Sequence, residues 1–460
     1  MGDGFGASTI RQWVFVHPLI FLAAVGLIIR SLISVLFTHS YDIAYWGYII
    51  ENIQSNSGLY ELPGYYYTPV WGYFISSIGF VMNYLFGIDV FGIESDSLIP
   101  SQDVSWEYYM DLVTTVEFSL VFKAVFTLID LAISYVLYLM VMERTGDRQK
   151  ASIAFGLWFL CPLTIYTSCV HAMFDGLSVL TLLLTVYFLM KGNYLLAGCS
   201  FSMAVLSKFF PAYLIFLFVA YILVKESGDI RKFAKSLSMS ILGAAVMFLV
   251  IYTPDIVNGT IWDSLNFVFN RVDSIGAGEE SFWDSLTSNG YTIVIMLQPV
   301  IIFLEVLLAY YYQKGRSSKS NNNDRFMMYC MLGATSVFLW TPAPTYMMII
   351  IPFVIYHVLV SDSRYKLSLI ALLIVPTLYA IVMHNFSDLF AANVFLHIVS
   401  PEFILNGIEW LDSVTILGMS NQSLINLILG ALETLAIYSV FITYVHNRRM
   451  DSKVVSNGSA

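Results

Sequence analysis

Four basic side chains, Arg30, Lys123, Lys208 and Arg271, stand apart from the other Lys and Arg of this sequence, because they fall in or beside long apolar stretches. A cation in hydrocarbon costs at least ~2.5 kcal/mol on insertion scales, so such a residue normally faces a cavity or a partner. Lys123 lies in VFKAVFTLIDLAISYVLY with Asp130 seven positions on, two turns along the same helical face. Lys208 sits in LSKFFPAY at a turn between two apolar segments, and Arg271 lies in the loop 254–289. Lys123, Lys208 and Arg271 would gather at one membrane boundary, where they could neutralise a phosphate or pyrophosphate leaving group. The competing reading is structural, with Lys123 and Asp130 as an intramembrane pair and Lys208 snorkelling to the boundary. Arg30, near the middle of the first apolar segment, is open to either role. Among the acids, Asp42 follows the first apolar segment in FTHSYDIAYWGYI and could accept a proton from an attacking hydroxyl while a phosphate leaves from the opposite face; it could equally be a solvated cap. SCVHAMFDGL sets His171 and Asp175 four apart near a helix start, where they could ligate a metal or orient a hydroxyl, or Asp175 could simply cap the helix. Glu94, Asp96, Asp103, Glu107 and Asp111 read as a solvated face.

The elements that must position these groups belong to a membrane protein. With 58% hydrophobic residues and only 12% charged, about half the charged share of ordinary soluble domains (roughly 25%), a solvated globule is excluded. Several apolar stretches reach the ~20 residues a helix needs to cross ~30 Å of hydrocarbon. The expected fold is an all-α polytopic bundle of about 12 spans, near 15–37, 113–142, 151–168, 174–190, 193–207, 209–224, 236–253, 290–312, 326–340, 346–360, 367–384 and 423–445. With a cytoplasmic N-terminus, Arg11, Lys191, the segments 144–150, 225–235, 314–325 and 363–366, and the tail 447–453 hold 18 of the 22 Lys and Arg, which fixes the orientation. The sequons at Asn258, Asn385 and Asn421 then fall outside or at the outer boundary. The apolar piece 70–88 would invert the later topology if it spanned, so it is read as an interfacial or re-entrant helix within a long outer region, 38–112. The whole of 1–460 forms one domain: the outer region 38–112, a helical core 113–360, and C-terminal helices 361–460 with a second outer region, 385–422. Cys161, Cys169, Cys199 and Cys330 have no metal-ligand spacing and read as small buried hydrophobes. No Gly-rich nucleotide loop, HExxH or nucleophile elbow appears, which disfavours a nucleotide-sugar donor.

Read in order, several segments resemble the GT-C superfamily of polyprenyl- and dolichyl-phosphate-sugar glycosyltransferases, specifically the mannosyltransferases of GPI-anchor assembly. The resemblance is distributed: Asp42 early in the first outer loop; GLYELPGYYYTPVWGYF with Tyr67, Thr68 and Pro69; Lys123 and Asp130; LWFLCPLTIYTSCVHAMFDGL with Pro162, Ser168, His171, Phe174 and Asp175; LSKFFPAYLI with Lys208 and Pro211; NRVDSIGAGEESFW with Arg271, Glu280, Ser281 and Trp283; and TPAPTYMMIIIPF with Pro342, Tyr346 and Pro352. Two departures stand out. A single carboxylate in Ser40-Tyr41-Asp42 replaces a paired acid motif, and Ala172-Met173 replaces the usual Gly-Gln before Phe-Asp.

The resemblance implies helices around an outward-opening cavity and transfer of a hexose, mannose by this likeness, from a polyprenyl-phosphate carrier to a glycan, glycolipid or protein acceptor. Asp42 would be the base, Lys123, Lys208 and Arg271 would hold the donor phosphate, and Tyr67, His171, Asp175, Glu280 and Tyr346 would shape the sugar and acceptor sites. No cofactor is implied, and the single acid disfavours a metal. A transporter or flippase of lipid-linked sugars is the second reading, and a structural or assembly subunit of a membrane complex the third. The expected location is a prokaryotic cell membrane with the site outside, or the endoplasmic reticulum in a eukaryote.

Overall fold

The computed structural model describes residues 17–55, 58–61, 65, 67–90, 115–227, 229–265, 290–315, 321–338, 343–383, 406, 409–410, 413–416 and 419–457. Their order is α1 (Pro18–Leu36), α2 (Ser40–Gln54), α3 (Pro69–Phe86), α4 (Val116–Thr145), α5 (Arg148–Phe159), α6 (Pro162–Cys169), α7 (Asp175–Lys191) and α8 (Tyr194–Ser207). A 3₁₀ turn, Phe210–Leu214, leads into α9 (Ile215–Lys225), followed by α10 (Ile230–Asn258), α11 (Gly290–Lys314) and α12 (Asn322–Val337). A second 3₁₀ turn, Pro344–Ile349, precedes α13 (Ile351–Val360), then α14 (Lys366–Met383), the short antiparallel pair β1 (Val414–Ile416) and β2 (Met419–Ser420), and α15 (Asn421–Asn457).

The chain is thus a helical, multi-pass membrane protein, but twelve spans are not what the structure shows. Five helices among the described residues are long and apolar enough to cross a bilayer: α1, Glu117–Thr145, Ile230–Asn258, Ser363–Val382 and Asn421–Arg448. A sixth arises if α5 and α6, bent by 46° at their junction, count as one. The difference has a physical cause. A span of the hydrocarbon core needs ~20 helical residues, whereas α8 has 14 residues and reaches only about 21 Å at ~1.5 Å per residue. The expected spans 209–224 and 346–360 each open with a 3₁₀ turn, and 151–168 is interrupted where Pro162 restarts the helix. Hydropathy alone does not register these breaks.

Local chemistry sets the boundaries. The Thr115 hydroxyl accepts from the Phe118 N–H to start α4, which ends at Gly146 with φ of 66°. Asp147 accepts from the N–H groups of Gln149 and Lys150 to start α5 within two residues of that stop. Asp229 does the same for α10 through Arg231 and Lys232. Lys225 donates to the last carbonyls of α7, Leu189 O and Met190 O, satisfying groups a helix end leaves open.

The core is pinned by one buried cation. Arg30 of α1, 1% exposed, pairs with Asp130 of α4 at 2.8 Å, the carboxylate being equally buried. Its guanidinium also donates to Ser168 Oγ at 2.5 Å, Thr164 Oγ1 at 3.0 Å and Phe159 O at 3.2 Å, and lies 4.7 Å from the Phe159 ring centroid. One side chain therefore joins α1, α4, the end of α5 and α6. The intramembrane partner of Asp130 is Arg30 and not Lys123. The Lys123 Nζ instead donates to Ser34 O at 3.0 Å and Phe37 O at 2.7 Å, closing the C-terminal carbonyls of α1.

Elsewhere small residues set the spacing. A Cβ placed on Gly198 of α8 would lie 1.9 Å from Ser240 O of α10, and one on Gly243 of α10 would lie 2.0 Å from Leu195 O of α8. The two helices meet backbone to backbone, the close approach small residues permit in membranes. The Cys199 thiol donates to Gly243 O across the same crossing. All four cysteines are free, and Cys161, Cys169 and Cys330 are buried.

Two outcomes follow for the purified full-length chain in detergent. Arg30→Met or Asp130→Leu alone leaves one uncompensated buried charge and should lower stability by ~3–5 kcal/mol, whereas the double replacement recovers most of that loss in thermal unfolding; equal or additive damage in the double variant would contradict this account. Gly243→Ala should reduce the folded fraction in size-exclusion profiles, while Gly156→Ala, whose new Cβ meets only the flexible Leu22 side chain at 3.3 Å, should not.

Candidate functional site

The connection between α6 and α7 carries His171 and leads into Asp175 at the start of α7. Ala172, directly after His171, has φ of 52°, a left-handed conformation that side chains other than glycine rarely adopt. The turn is held by Met173 N–H to Thr167 O at 3.0 Å and His171 N–H to Tyr166 O at 3.2 Å. It is also tied to the start of α2, because His39 N–H donates to Val170 O at 3.0 Å. His39 caps α2 and Asp42 lies in its first turn, so this one backbone bond brings two distant stretches of sequence into register.

Two side-chain groups result. In the first, His171 Nδ1 lies 3.0 Å from Asp42 Oδ2 and its Nε2 lies 2.9 Å from the Tyr166 hydroxyl. His39 stacks on His171 with centroids 4.3 Å apart and planes 12° from parallel, and its Nε2 is 3.6 Å from the same Asp42 oxygen. In the second, Lys208 Nζ lies 3.4 Å from Asp175 Oδ1 and over two ring faces, Phe174 at 4.6 Å and Tyr346 at 4.7 Å. An ammonium between aromatic faces is attracted by both ring quadrupoles, the more so when desolvated, and Lys208 is only 10% exposed. Asp175 Oδ2 has no hydrogen-bond partner among the described residues.

An aromatic wall joins the second group to α2 and α3. Phe174 stacks on Trp71 at 4.1 Å and meets Tyr67 edge-on at 5.2 Å, and Trp46 meets Trp71 edge-on at 5.0 Å. The Thr68 hydroxyl donates to Leu206 O and links the segment before α3 to the end of α8. The edge of this region is acidic as well: Asp255 of α10 accepts from the Tyr73 hydroxyl at 3.0 Å.

Of the residues picked out in the sequence, Asp42 and His171 come together, as do Lys208, Asp175 and Tyr346, with Tyr67 against Phe174. Lys123 joins neither group, being spent on the end of α1. Arg271 and Glu280 lie outside the described residues. Two participants escaped notice, His39 and Tyr166. The spacing of His39 and Asp42, three apart at a helix start, was the available signal. Tyr166 carried none, because only the fold brings its hydroxyl to His171. Chemically, Arg30, Lys123 and Lys208 each contact an internal oxygen, while Asp175 Oδ2 and Arg30 Nε have no hydrogen-bond partner among the described residues.

Residues 106–275 match the family model for PIG-U, GPI transamidase subunit PIG-U. No curated protein matches the chain significantly. The matched stretch takes in Lys123, Asp130, His171, Asp175, Lys208 and Arg271, the same region on which most of the mannosyltransferase resemblance rested. PIG-U is not a glycosyltransferase, and this overturns the identification with the GT-C family, the assignment of hexosyl transfer and the use of Asp42 as its base. The donor-phosphate roles expected of Lys123, Lys208 and Arg271, and the sugar and acceptor roles expected of Tyr67, His171, Asp175, Glu280 and Tyr346, are not tested by the match residue by residue. A sugar-donor partner, a lipid-linked sugar transporter and a prokaryotic cell-surface location likewise gain no support from the match. What this membrane protein is similar to, over residues 106–275, is the GPI transamidase subunit PIG-U.

Proposed function

We propose that this chain is a multi-pass membrane subunit of a GPI transamidase, the complex that attaches proteins to GPI anchors, and that in a eukaryotic cell it resides in the endoplasmic reticulum membrane. The observation that carries the reading is the match of residues 106–275, α4 through α10, to the PIG-U family. The internal geometry agrees with a subunit that holds and orients rather than reacts. Arg30, Lys123 and Lys208 are consumed by Asp130, by the α1 carbonyls and by Asp175. The lateral faces agree as well: α10 exposes Ile241, Leu242, Leu249, Val250 and Val257, and α15 exposes Leu427, Leu435 and Ile442. Such apolar flanks suit lipid and neighbouring subunits in a bilayer.

The test separates attachment from glycan assembly. Cells lacking the chain should fail to display a GPI-anchored reporter while accumulating GPI lipids whose mannose complement is complete by mass spectrometry. Accumulation of glycolipids one mannose short would return the chain to the biosynthetic transferases and end this proposal.

A further inference from the structure

We infer that His39, Asp42 and His171 form a binding site for one divalent transition-metal ion of the zinc class, clamping the start of α2 to the turn between α6 and α7. One ligand atom from each of the three lies within 4.8 Å of the others. His171 Nδ1 and His39 Nε2 stand 3.0 and 3.6 Å from Asp42 Oδ2. In a tetrahedral zinc site with bonds of roughly 2.0–2.1 Å, neighbouring ligand atoms sit about 3.3 Å apart; the two pairs that share Asp42 Oδ2 bracket that spacing, and the whole set, within 4.8 Å, needs a small side-chain adjustment to close on an ion.

The hydrogen-bond network around His171 is compatible with that site. The Tyr166 hydroxyl lies 3.3 Å from Ala380 O, to which it donates, and 2.9 Å from His171 Nε2. In the Nε2–H tautomer, with Tyr166 accepting from the ring, the Nδ1 lone pair faces the Asp42 carboxylate oxygen at 3.0 Å and metal binding selects that form; without the ion, a proton on Nδ1 makes the same contact an ordinary hydrogen bond. His171 with Tyr166 behind it has the arrangement of a metal-bound imidazole whose second nitrogen is held by an outer partner, which fixes tautomer and ring orientation.

The remaining ligand is placed to complete the set. With the two rings 12° from parallel, binding requires one of them to turn, and His39, 12% exposed against 2% for His171, is the less enclosed of the two. Asp42, 17% exposed, is the least buried of the three ligands. Two imidazoles and one carboxylate leave a fourth position for water or an incoming ligand, a donor set suited to zinc or cobalt(II). No thiol takes part, because none of the four cysteines belongs to this group.

Cobalt(II) titration of the purified full-length chain in detergent, after chelator treatment, is the test. The wild-type chain should take up one equivalent with visible bands of nitrogen and oxygen coordination and no thiolate charge-transfer band, and zinc should displace it. His39→Ala and Asp42→Asn, on the more exposed ligands, should lose stoichiometric uptake while keeping the wild-type size-exclusion profile, and Tyr166→Phe should weaken binding by about 10–100-fold. Absence of uptake by the folded wild-type chain, or uptake unchanged in folded His39→Ala, would overturn the assignment.

Discussion

A guanidinium buried among helices in a bilayer is costly unless its charge is countered and its donors are taken up, and the two terminal nitrogens of Arg30 meet that demand. Asp130 supplies the countercharge, and Ser168, Thr164 and the Phe159 carbonyl accept from the same nitrogens, while Nε has no partner among the described residues. Because those partners come from α4, α5 and α6, the solution fixes α1 against all three. The bend between α5 and α6 follows from the same arrangement: Pro162 restarts the helix, and the carbonyl of Phe159 at that break accepts from Arg30 instead of going unpaired. A Cβ on Gly26 would lie 2.3 Å from the Phe159 ring, so the glycine lets α1 come close enough for Arg30 to reach.

The other charged groups extend the pattern outward. Lys123 closes α1, the turn at Ala172 presents His171 to Asp42, and Asp175 at the next helix start meets Lys208. Each contact joins elements distant in sequence, and each uses an ionisable side chain inside or beside the apolar core. Such residues are expensive to keep in a membrane. Here they serve as connectors between helices, alongside buried hydroxyls such as Ser178, which donates to Ala204 O; apolar packing alone specifies register poorly. A subunit whose task is to hold a defined shape within a larger assembly has a use for such connectors without any chemistry of its own.

The helical, membrane-spanning character was legible from composition, whereas the stops and caps at Gly146, Asp147, Pro162 and Asp229 were not read, and the expected span 151–168 ran through Pro162. The number of spans was not legible, since α8, α9 and α13 are apolar enough to pass a hydropathy reading but too short, or too broken by 3₁₀ turns, to cross alone. The pairings were half legible. Asp42 and His171 were each noticed, as were Asp175 and Lys208, but helical spacing matched Asp130 with Lys123, and only the packing of α1 on α4 hands it to Arg30. The functional error has the same root. Lysines, aspartates and aromatic residues stranded in apolar segments look alike whether they bind a lipid phosphate or hold helices together, and a resemblance spread over single residues cannot separate the two. The match to PIG-U over 106–275 overturns the hexosyl-transfer reading without testing the role of any one residue.

Native purification bears most directly on the central claim that these charges support a transamidase subunit. The full-length chain, tagged and extracted from its own membranes, should co-elute with other membrane subunits at fixed stoichiometry, and the eluate should join a protein C-terminal signal substrate to a GPI lipid. Recovery of the chain alone, with mannose transfer from a polyprenyl-phosphate donor in the same fraction, would contradict the account.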